Sequence, residues 1–215
     1  MKTLLYIIAN SKDEEQSASR TVSRALVNRL LLRMPELRLR EINLYEDHIP
    51  QLRGEYFRDR NAVVDAEDRD RFNEHEKKEL ERIEALAEEF AGADVYVLAA
   101  PMWSLSFPAP VKEYLDCVAQ DGKTLSFAGK RPRGLLGDRP RTFFYVQSSG
   151  ARIPALLSLL VNRGAHYVHM MVRMMGIRKF VLFPVDGTGS SLAEMQEAAE
   201  RAKGKINAML QKHFR

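Results

Sequence analysis

The chain has 215 residues, of which 45% are hydrophobic, and a formal net charge of +4. This length suffices for one well-buried core, and we expect a single domain over residues 1–215. The only cysteine, Cys117, excludes an internal disulfide framework and favours a reducing, cytoplasmic location. No apolar stretch approaches the roughly 20 residues that a membrane span requires, so no membrane insertion is predicted.

The excess positive charge does not indicate nucleic-acid binding, because it is spread along the chain. The densest basic segment, residues 130–141, is rich in Gly and Pro and lacks the interleaved aromatic residues that stack on bases. It is typical of a solvated connection, and a weak attraction for a phosphorylated cosubstrate is the functional alternative. We expect no nucleic-acid partner.

The chain begins with a predicted strand at residues 3–9, followed by a loop over residues 10–17. A helix is predicted from about residue 19 to residue 34, because Pro35 stops it. Residues 37–44 predict a second, more exposed strand, which suits the edge of a sheet.

The next part of the chain changes from irregular to strongly periodic. Residues 45–62 show no period and predict a long irregular loop, and residues 65–91 predict a charged helix with an apolar stripe. Residues 95–100 are an uninterrupted apolar run, typical of a buried parallel strand, that stops at Pro101. An amphipathic helix is predicted to begin at Pro108.

The second half continues the alternation. Residues 122–137 predict a turn-rich excursion, and residues 142–147 predict a fourth strand. A long, largely apolar helical region is expected after Pro154, ending at Gly176. Residues 179–183 predict the fifth strand.

A capping box, Ser191 with Glu194 three residues later, predicts the start of a last helix that runs to about residue 214. Strands and helices therefore alternate five times. The economical fold is a doubly wound α/β structure, a five-stranded parallel sheet of order 2-1-3-4-5 with helices on both faces, in the flavodoxin-like arrangement.

Three loops, after the first, third and fourth strands, would meet at the carboxyl edge of such a sheet, where ligands bind. Ser17 and Ser19 begin a helix, which makes them either a phosphate site or, for Ser17, a simple helix cap. Gly150 permits close approach of a planar ligand and equally suits a tight turn. The chain has neither a P-loop nor a GxGxxG motif, which disfavours ATP binding and the usual dinucleotide fingerprint.

Other reactive side chains have simpler explanations. His166 and His169 lie near several methionines and would suit a soft metal, but their helical spacing favours packing in the core or at a dimer interface. We therefore predict no metal. Cys117 is expected to be a buried thiol and not a nucleophile.

One segment resembles a known family. Residues 98–103 read LAAPMW and residues 106–116 read SFPAPVKEYLD. Together they resemble the flavin-contacting segment of the FMN-dependent NADH-azoreductases and their NAD(P)H:quinone reductase relatives. Shorter matches follow in the same order over nearly the whole chain: the serine loop after the first strand, IPQL at 49–52, KTLSF at 123–127, GLLG at 134–137 and SSG at 148–150.

The resemblance implies a homodimer that binds one FMN per subunit, with each active site completed at the dimer interface. NADH or NADPH would reduce the flavin, and a quinone or azo compound would then take two electrons at the same place, without a catalytic side chain. Residues carried over to the FMN site are Asn10, Ser17 and Ser19 for the phosphate, Pro101, Met102, Trp103, Ser104 and Leu105 for the isoalloxazine, and Ser148, Ser149 and Gly150 for its pyrimidine edge. The expected substrate pocket consists of Trp103, Phe107, Phe127 and Tyr56 with residues of the partner subunit.

Three positions depart from the family pattern: Ser104 stands where Asn is common, Leu105 where an aromatic residue is common, and Ala151 where a second Gly is common. Two alternative functions fit the same resemblance. One is an FMN reductase that supplies reduced flavin, and the other is a non-catalytic accessory subunit of a membrane transporter.

Overall fold

The computed structural model describes residues 2–129, 131–154 and 161–213. Five parallel strands form its main sheet, and we number them in chain order. Their bounds are β1 Lys2–Ile8, β2 Leu37–Asn43, β3 Val95–Pro101, β4 Thr142–Ser149 and β5 Lys179–Asp186.

The order across the sheet is β2-β1-β3-β4-β5, which confirms the predicted order 2-1-3-4-5 and the edge position of β2. In the register, Ile8 lies beside Asn43 on one side and Ala99 on the other. β3 and β4 are flanked by strands on both sides and buried on both faces, which explains why they read as continuous apolar runs.

Helices cover both faces of the sheet, and each face has its own apolar core. Leu26 packs with Ala198 and Leu210 on one face, and Ile83, Tyr114 and Val168 pack on the other. The described helices are α1 Ala18–Arg33, α2 Glu74–Gly92, α3 Ala109–Val118, α4 Arg163–Met174, α5 Leu192–Lys203 and α6 Ile206–His213.

The predicted start of the charged helix was wrong by nine residues. α2 begins at Glu74, because Asn73 and Glu76 form a reciprocal capping box with both hydrogen bonds at 3.0 Å. The preceding residues, Ala66–Arg71, form a 3-10 helix. The sequence Asn-x-x-Glu at residues 73–76 carried this signal.

Two irregular segments contain short hairpins that the sequence did not predict. In the irregular segment between β2 and α2, Phe57–Asp59 pairs antiparallel with Ala62–Val63. In the turn-rich segment between α3 and β4, Leu125–Ser126 pairs antiparallel with Arg133–Gly134. Strands of two or three residues are too short to show an alternating pattern.

The C-terminal third differs from the prediction in two places. The single last helix is two helices, α5 and α6, with Gly204 between them, while the capping box at Ser191 is confirmed. The apolar residues at 156–160, predicted to be helical, lie outside the described residues, and α4 begins at Arg163.

Among the described helices, none combines the length and the hydropathy needed to cross a membrane.

Candidate active site

A cavity of about 470 Å³ opens at the carboxyl edge of the sheet. Its volume lies within the range of about 300–1,000 Å³ that is typical of small-molecule sites. Four loops form its wall, those that follow β1, β3, β4 and β5, together with the first turns of α1 and α5. Three of these loops are the ones that the sequence predicts to meet.

The loop after β1 holds a compact cluster of polar side chains. The Asn10 amide donates to Ser17 Oγ at 2.7 Å and to Ser19 Oγ at 3.4 Å. Ser17 also accepts a hydrogen bond from the backbone N–H of Arg20, so it is the N-cap of α1. Asn10 and Ser17 line the cavity, whereas Ser19 lies behind them, with none of its surface exposed.

Lys12 is the one charged side chain among the described residues that line the cavity. Its backbone is held at both ends, because its N–H donates to Asn10 Oδ1 at 3.0 Å and its carbonyl accepts from Arg20 Nη1 at 2.6 Å. The N-terminus of α1 and this ammonium group therefore face the same space, which makes that end of the cavity favourable for an anion.

The loop after β3 contributes an apolar wall. Pro101, Met102 and Trp103 line the cavity, and the Trp103 side chain is 47% exposed. The Met102 N–H donates to Ser148 O at 2.7 Å, which ties this loop to the one after β4. A half-exposed indole beside polar backbone suits a flat ligand with polar edges.

Ser104 and Leu105 lie in the same loop but do not line the cavity. Both have left-handed backbone conformations, with φ of 49° and 62°. Such conformations are unfavourable for a residue with a side chain, and they persist where surrounding contacts impose them. The Ser106 N–H bonds Trp103 O at 2.8 Å and closes the turn.

The first turn of α4 holds this turn in place. The Gly164 N–H donates to Leu105 O at 3.2 Å, and a Cβ at Gly164 would stand 2.7 Å from Ser106 Cα. Asn162, the N-cap of α4, donates from its amide to the side chain of Gln147 at the end of β4. β4 and α4 therefore fix the strained turn that presents Trp103.

Ser148 and Ser149, the last residues of β4, and Gly150, which begins the loop after it, line the cavity close to Met102. Gly150 has no left-handed backbone, and a Cβ built on it would meet only Gly189 O at 3.8 Å, an ordinary contact. The fold of the chain does not require glycine at this position, so the requirement for a small residue would come from a ligand.

The loop after β5 forms a fourth wall that the sequence analysis missed. It contributes Thr188, Gly189, Ser190, Ser191 and Leu192. The signal was present, since the capping box at Ser191 places the start of α5 directly after the fifth parallel strand, at the same edge as the other loops. Hydrogen bonds from three capping donors hold the pKa of the Glu194 carboxyl below its usual range, the Ser191 hydroxyl contributing most.

Of the four predicted substrate-pocket residues, Trp103 alone lines the cavity of this chain. Tyr56 is 1% exposed and lies in the core against Phe72, at 6.0 Å between ring centroids. Phe107 lies 5.7 Å from the Tyr167 ring, and Phe127 lies under the Arg60 guanidinium. These three residues are not brought together with the cavity.

The other reactive side chains are also accounted for. Cys117 is buried, and burial raises the pKa of its thiol to about 12, so it is protonated at neutral pH. His169 stacks on Phe180 with 4.7 Å between ring centroids, while Met170 and Met174 on α4 are exposed. Within the described residues, no group of three or more His, Cys, Asp or Glu side chains is arranged to hold a metal ion.

The fold and the position of the cavity define a class of protein. The Flavodoxin_2 family, described as having a flavodoxin-like fold, matches residues 1–210, and the chain belongs to this family. Two of its close relatives are called FMN-dependent NADH:quinone oxidoreductase. That of Ruminiclostridium cellulolyticum is 49% identical over 210 residues, covering 98% of this chain and 99% of the relative. That of Clostridium botulinum strain Eklund 17B is 46% identical over 211 residues and covers 98% of both chains.

Solved structures agree on the fold. An FMN-dependent NADH-azoreductase from Bacillus anthracis strain Ames Ancestor, solved in complex with FMN, superposes with a TM-score of 0.79. It is 22% identical and covers 97% of this chain and 99% of its own. The resemblance predicted from residues 98–116 is confirmed.

Proposed function

We propose that this protein is an FMN-dependent oxidoreductase that uses NADH to reduce quinones by two electrons. The observation that carries the proposal is the shape of one cavity. It joins an anion-binding end, at the start of α1, to a half-exposed indole at the end of β3. A phosphorylated ligand with a planar ring fits such a cavity, and the relatives that share nearly the full length of the chain are named for FMN.

In this proposal the phosphate of FMN lies at the start of α1. Ser17 supplies a hydroxyl donor that the Asn10 amide orients, Lys12 supplies positive charge, and the free N–H groups of the first turn complete the site. Ser19 positions the other two by its hydrogen bonds and does not touch the ligand. The acidic residues at 13–15 do not line the cavity, which removes a source of repulsion.

The ring of FMN lies between the loops after β3 and β4. Pro101, Met102 and Trp103 form its apolar surroundings, and Ser148 to Gly150 offer polar groups to its pyrimidine edge. FMN, when bound, supplies the hydride and electron chemistry. The protein's part is to orient the ring, to exclude water from one of its faces and to leave the other face open to NADH and then to the acceptor.

No acid or base side chain is required for proton delivery. Among the described residues that line the cavity there is neither a histidine nor a carboxylic acid. Water at the open side of the cavity therefore supplies the proton that accompanies reduction of a quinone.

We also propose that the protein is a cytoplasmic homodimer. The buried, protonated thiol of Cys117 suits a reducing compartment, and the exposed apolar side chains of Leu105, Met170 and Met174 suit an interface between two copies. Light scattering tests the assembly: a mass of two chains is expected, and a stable monomer would contradict the proposal and the shared substrate pocket with it.

The function is tested with purified protein reconstituted with FMN and desalted. We expect a retained flavin absorption spectrum that bleaches when NADH is added without oxygen and returns when a quinone is added. Azo compounds, the other acceptor class that the sequence predicts, are tested in the same way. Loss of all flavin on desalting, with no bleaching, would contradict the proposal and favour a non-catalytic role.

A further inference from the structure

Asp186, the last residue of β5, touches the proposed flavin site without lining it. Its carboxylate Oδ1 lies 2.7 Å from Ser149 Oγ. Ser149 does line the cavity, in the loop assigned to the pyrimidine edge of FMN. Asp186 therefore reaches the site through one hydroxyl group.

The hydroxyl of Ser149 has a single proton, and two neighbouring oxygen atoms lie within hydrogen-bond distance to accept it. Besides Asp186, the carbonyl oxygen of Ala151 lies 2.8 Å from Ser149 Oγ. A carboxylate and a carbonyl oxygen accept hydrogen bonds and cannot donate them. The Ser149 proton is therefore donated within the protein and not to a ligand. The hydrogen bond to the charged Asp186 is the stronger of the two. What Ser149 Oγ can still offer is a lone pair.

The backbone of this loop is held independently of Asp186. The Thr188 N–H donates to Ser149 O at 3.1 Å, and the Gly189 N–H donates to Gly150 O at 3.2 Å. These bonds join the loops after β4 and β5 whether or not Asp186 carries a charge. The carboxylate thus acts on the side chain of Ser149 and not on the path of the main chain.

We propose that Asp186 is a positioning residue that makes Ser149 a hydrogen-bond acceptor toward the ligand. The pyrimidine edge of a flavin presents one N–H between two carbonyl oxygens, and an acceptor at Ser149 recognises that N–H and repels the carbonyls. This assignment rests on the proposed function, because it takes FMN to be the ligand.

The carboxylate also places negative charge behind the edge of the flavin that becomes more negative on reduction. Charge of the same sign disfavours the reduced state. Asp186 is therefore expected to lower the reduction potential of bound FMN, in addition to strengthening its binding.

The test combines Asp186→Ala, Ser149→Ala and the double variant, with FMN affinity measured by titration of flavin fluorescence. Each single variant is expected to weaken binding about tenfold, as loss of a charge-assisted hydrogen bond does. The double variant should bind no more weakly than Ser149→Ala alone, because Asp186 acts through Ser149. Asp186→Asn, which removes the charge at nearly constant shape, replaces Asp186→Ala if that variant fails to fold.

Glu197→Gln is the matched control. Glu197 is another carboxylate near this end of the molecule, and it pairs with Arg201, which lines a second cavity together with Asp186. Because Glu197 has no contact with Ser149, its loss should leave FMN affinity unchanged. An equal effect of Glu197→Gln and Asp186→Ala would overturn the assignment in favour of a general effect of charge.

The potential separates positioning from a purely structural role. Loss of the Asp186 charge should raise the midpoint potential of bound FMN, and a tenfold change in the ratio of reduced to oxidised affinity corresponds to about 30 mV for two electrons. Additive losses in the double variant, or an unchanged potential, would overturn the assignment. Wild-type protein that binds no FMN would overturn the proposed function as well, whereas wild-type binding with an unaffected Asp186→Ala variant overturns this assignment alone.

Discussion

Lys12 contributes the single charge on the described wall of the cavity. FMN binding should therefore depend on the salt concentration. Lys12→Gln is expected to weaken FMN binding about fivefold, since an exposed ion pair contributes up to about 1 kcal/mol. The dependence of the affinity on ionic strength should decrease in the same variant. Titrations of FMN at low and high salt measure both effects.

Two controls accompany this prediction. Riboflavin, which lacks the phosphate, should bind equally to wild type and to Lys12→Gln. Lys77→Gln removes a lysine that pairs with Glu74 on the surface of α2 and should leave FMN affinity unchanged. Equal weakening of riboflavin and FMN would place Lys12 away from the phosphate.

Gly150 separates the needs of the fold from the needs of the ligand. Its backbone is not left-handed and a Cβ would meet only an ordinary contact, so Gly150→Ala should leave the thermal midpoint of the unliganded protein nearly unchanged. FMN binding should weaken in Gly150→Ala and fall more than tenfold in Gly150→Val, whose side chain extends further. Normal flavin content in the valine variant would remove Gly150 from the site.

At the level of residues, the sequence predicted the members of the site better than their orientation. Asn10, Ser17 and Trp103 line one cavity, as expected from loops that share an edge of the sheet. Ser104 and Leu105 do not, because two consecutive left-handed residues reverse the chain after Trp103. Neither residue is a glycine or an asparagine, the residue types that commonly adopt this conformation, so the local sequence did not predict the turn.

The start of α4 holds the turn that follows Trp103, and the close contact between Gly164 and Ser106 allows this to be tested. Gly164→Ala would place a methyl group 2.7 Å from Ser106 Cα, and such overpacking costs about 1–3 kcal/mol. We expect a lower free energy of unfolding together with weaker FMN binding, because the turn that presents Trp103 must shift. Denaturant titration and flavin titration measure the two effects.

Gly92→Ala is the matched control for this element. Gly92 is the last residue of α2, and a Cβ there would meet nothing within 4 Å. Its replacement should leave stability unchanged or raise it slightly, since alanine reduces the entropy of the unfolded chain. A Gly164→Ala variant that behaves like Gly92→Ala would show that the turn does not depend on α4.

Elements were predictable where a period was long and uninterrupted. The five strands and most helices followed from apolar runs and helical spacing, whereas the boundary of α2 depended on one side-chain cap at Asn73. The charged residues before it, Ala66–Arg71, are compatible with a helix by composition, yet they form a 3-10 turn. Composition alone does not distinguish the two.

For the molecule as a whole, Cys117 reports the integrity of the fold. Its thiol is completely buried and has a pKa of about 12, so both access and thiolate formation oppose its alkylation at pH 8. We expect alkylation by iodoacetamide to follow global unfolding. At an FMN concentration 100 times its dissociation constant, the native state gains about 2.7 kcal/mol and alkylation should slow about a hundredfold.

The readout is mass spectrometry of the intact chain over time, with the denatured protein as the control for full reactivity. Riboflavin at a concentration too low to bind should give no protection. Rapid, stoichiometric alkylation of the native protein at pH 8 would contradict the burial of Cys117. Alkylation that FMN does not slow would mean that the reaction proceeds through a local opening.

The overall topology was predictable because strand order in a doubly wound sheet follows from chain alternation and right-handed crossovers. The fourth loop of the site was not assigned from the sequence, although its position follows from the same topology. Its residues, from Thr188 to Leu192, are small or apolar and carry no catalytic signature. They acquire a role only because β5 ends beside β4.

The half-exposed indole at the end of β3 has one more consequence. Trp103 is the only tryptophan in the chain, so all indole emission comes from the wall of the cavity. Flavins absorb where tryptophan emits, and energy transfer over such short range is efficient. Trp103 is therefore an intrinsic fluorescent probe of the cavity. Quenching of its emission during a titration gives the fraction of occupied cavities, and hence the number of ligands per chain, without a label.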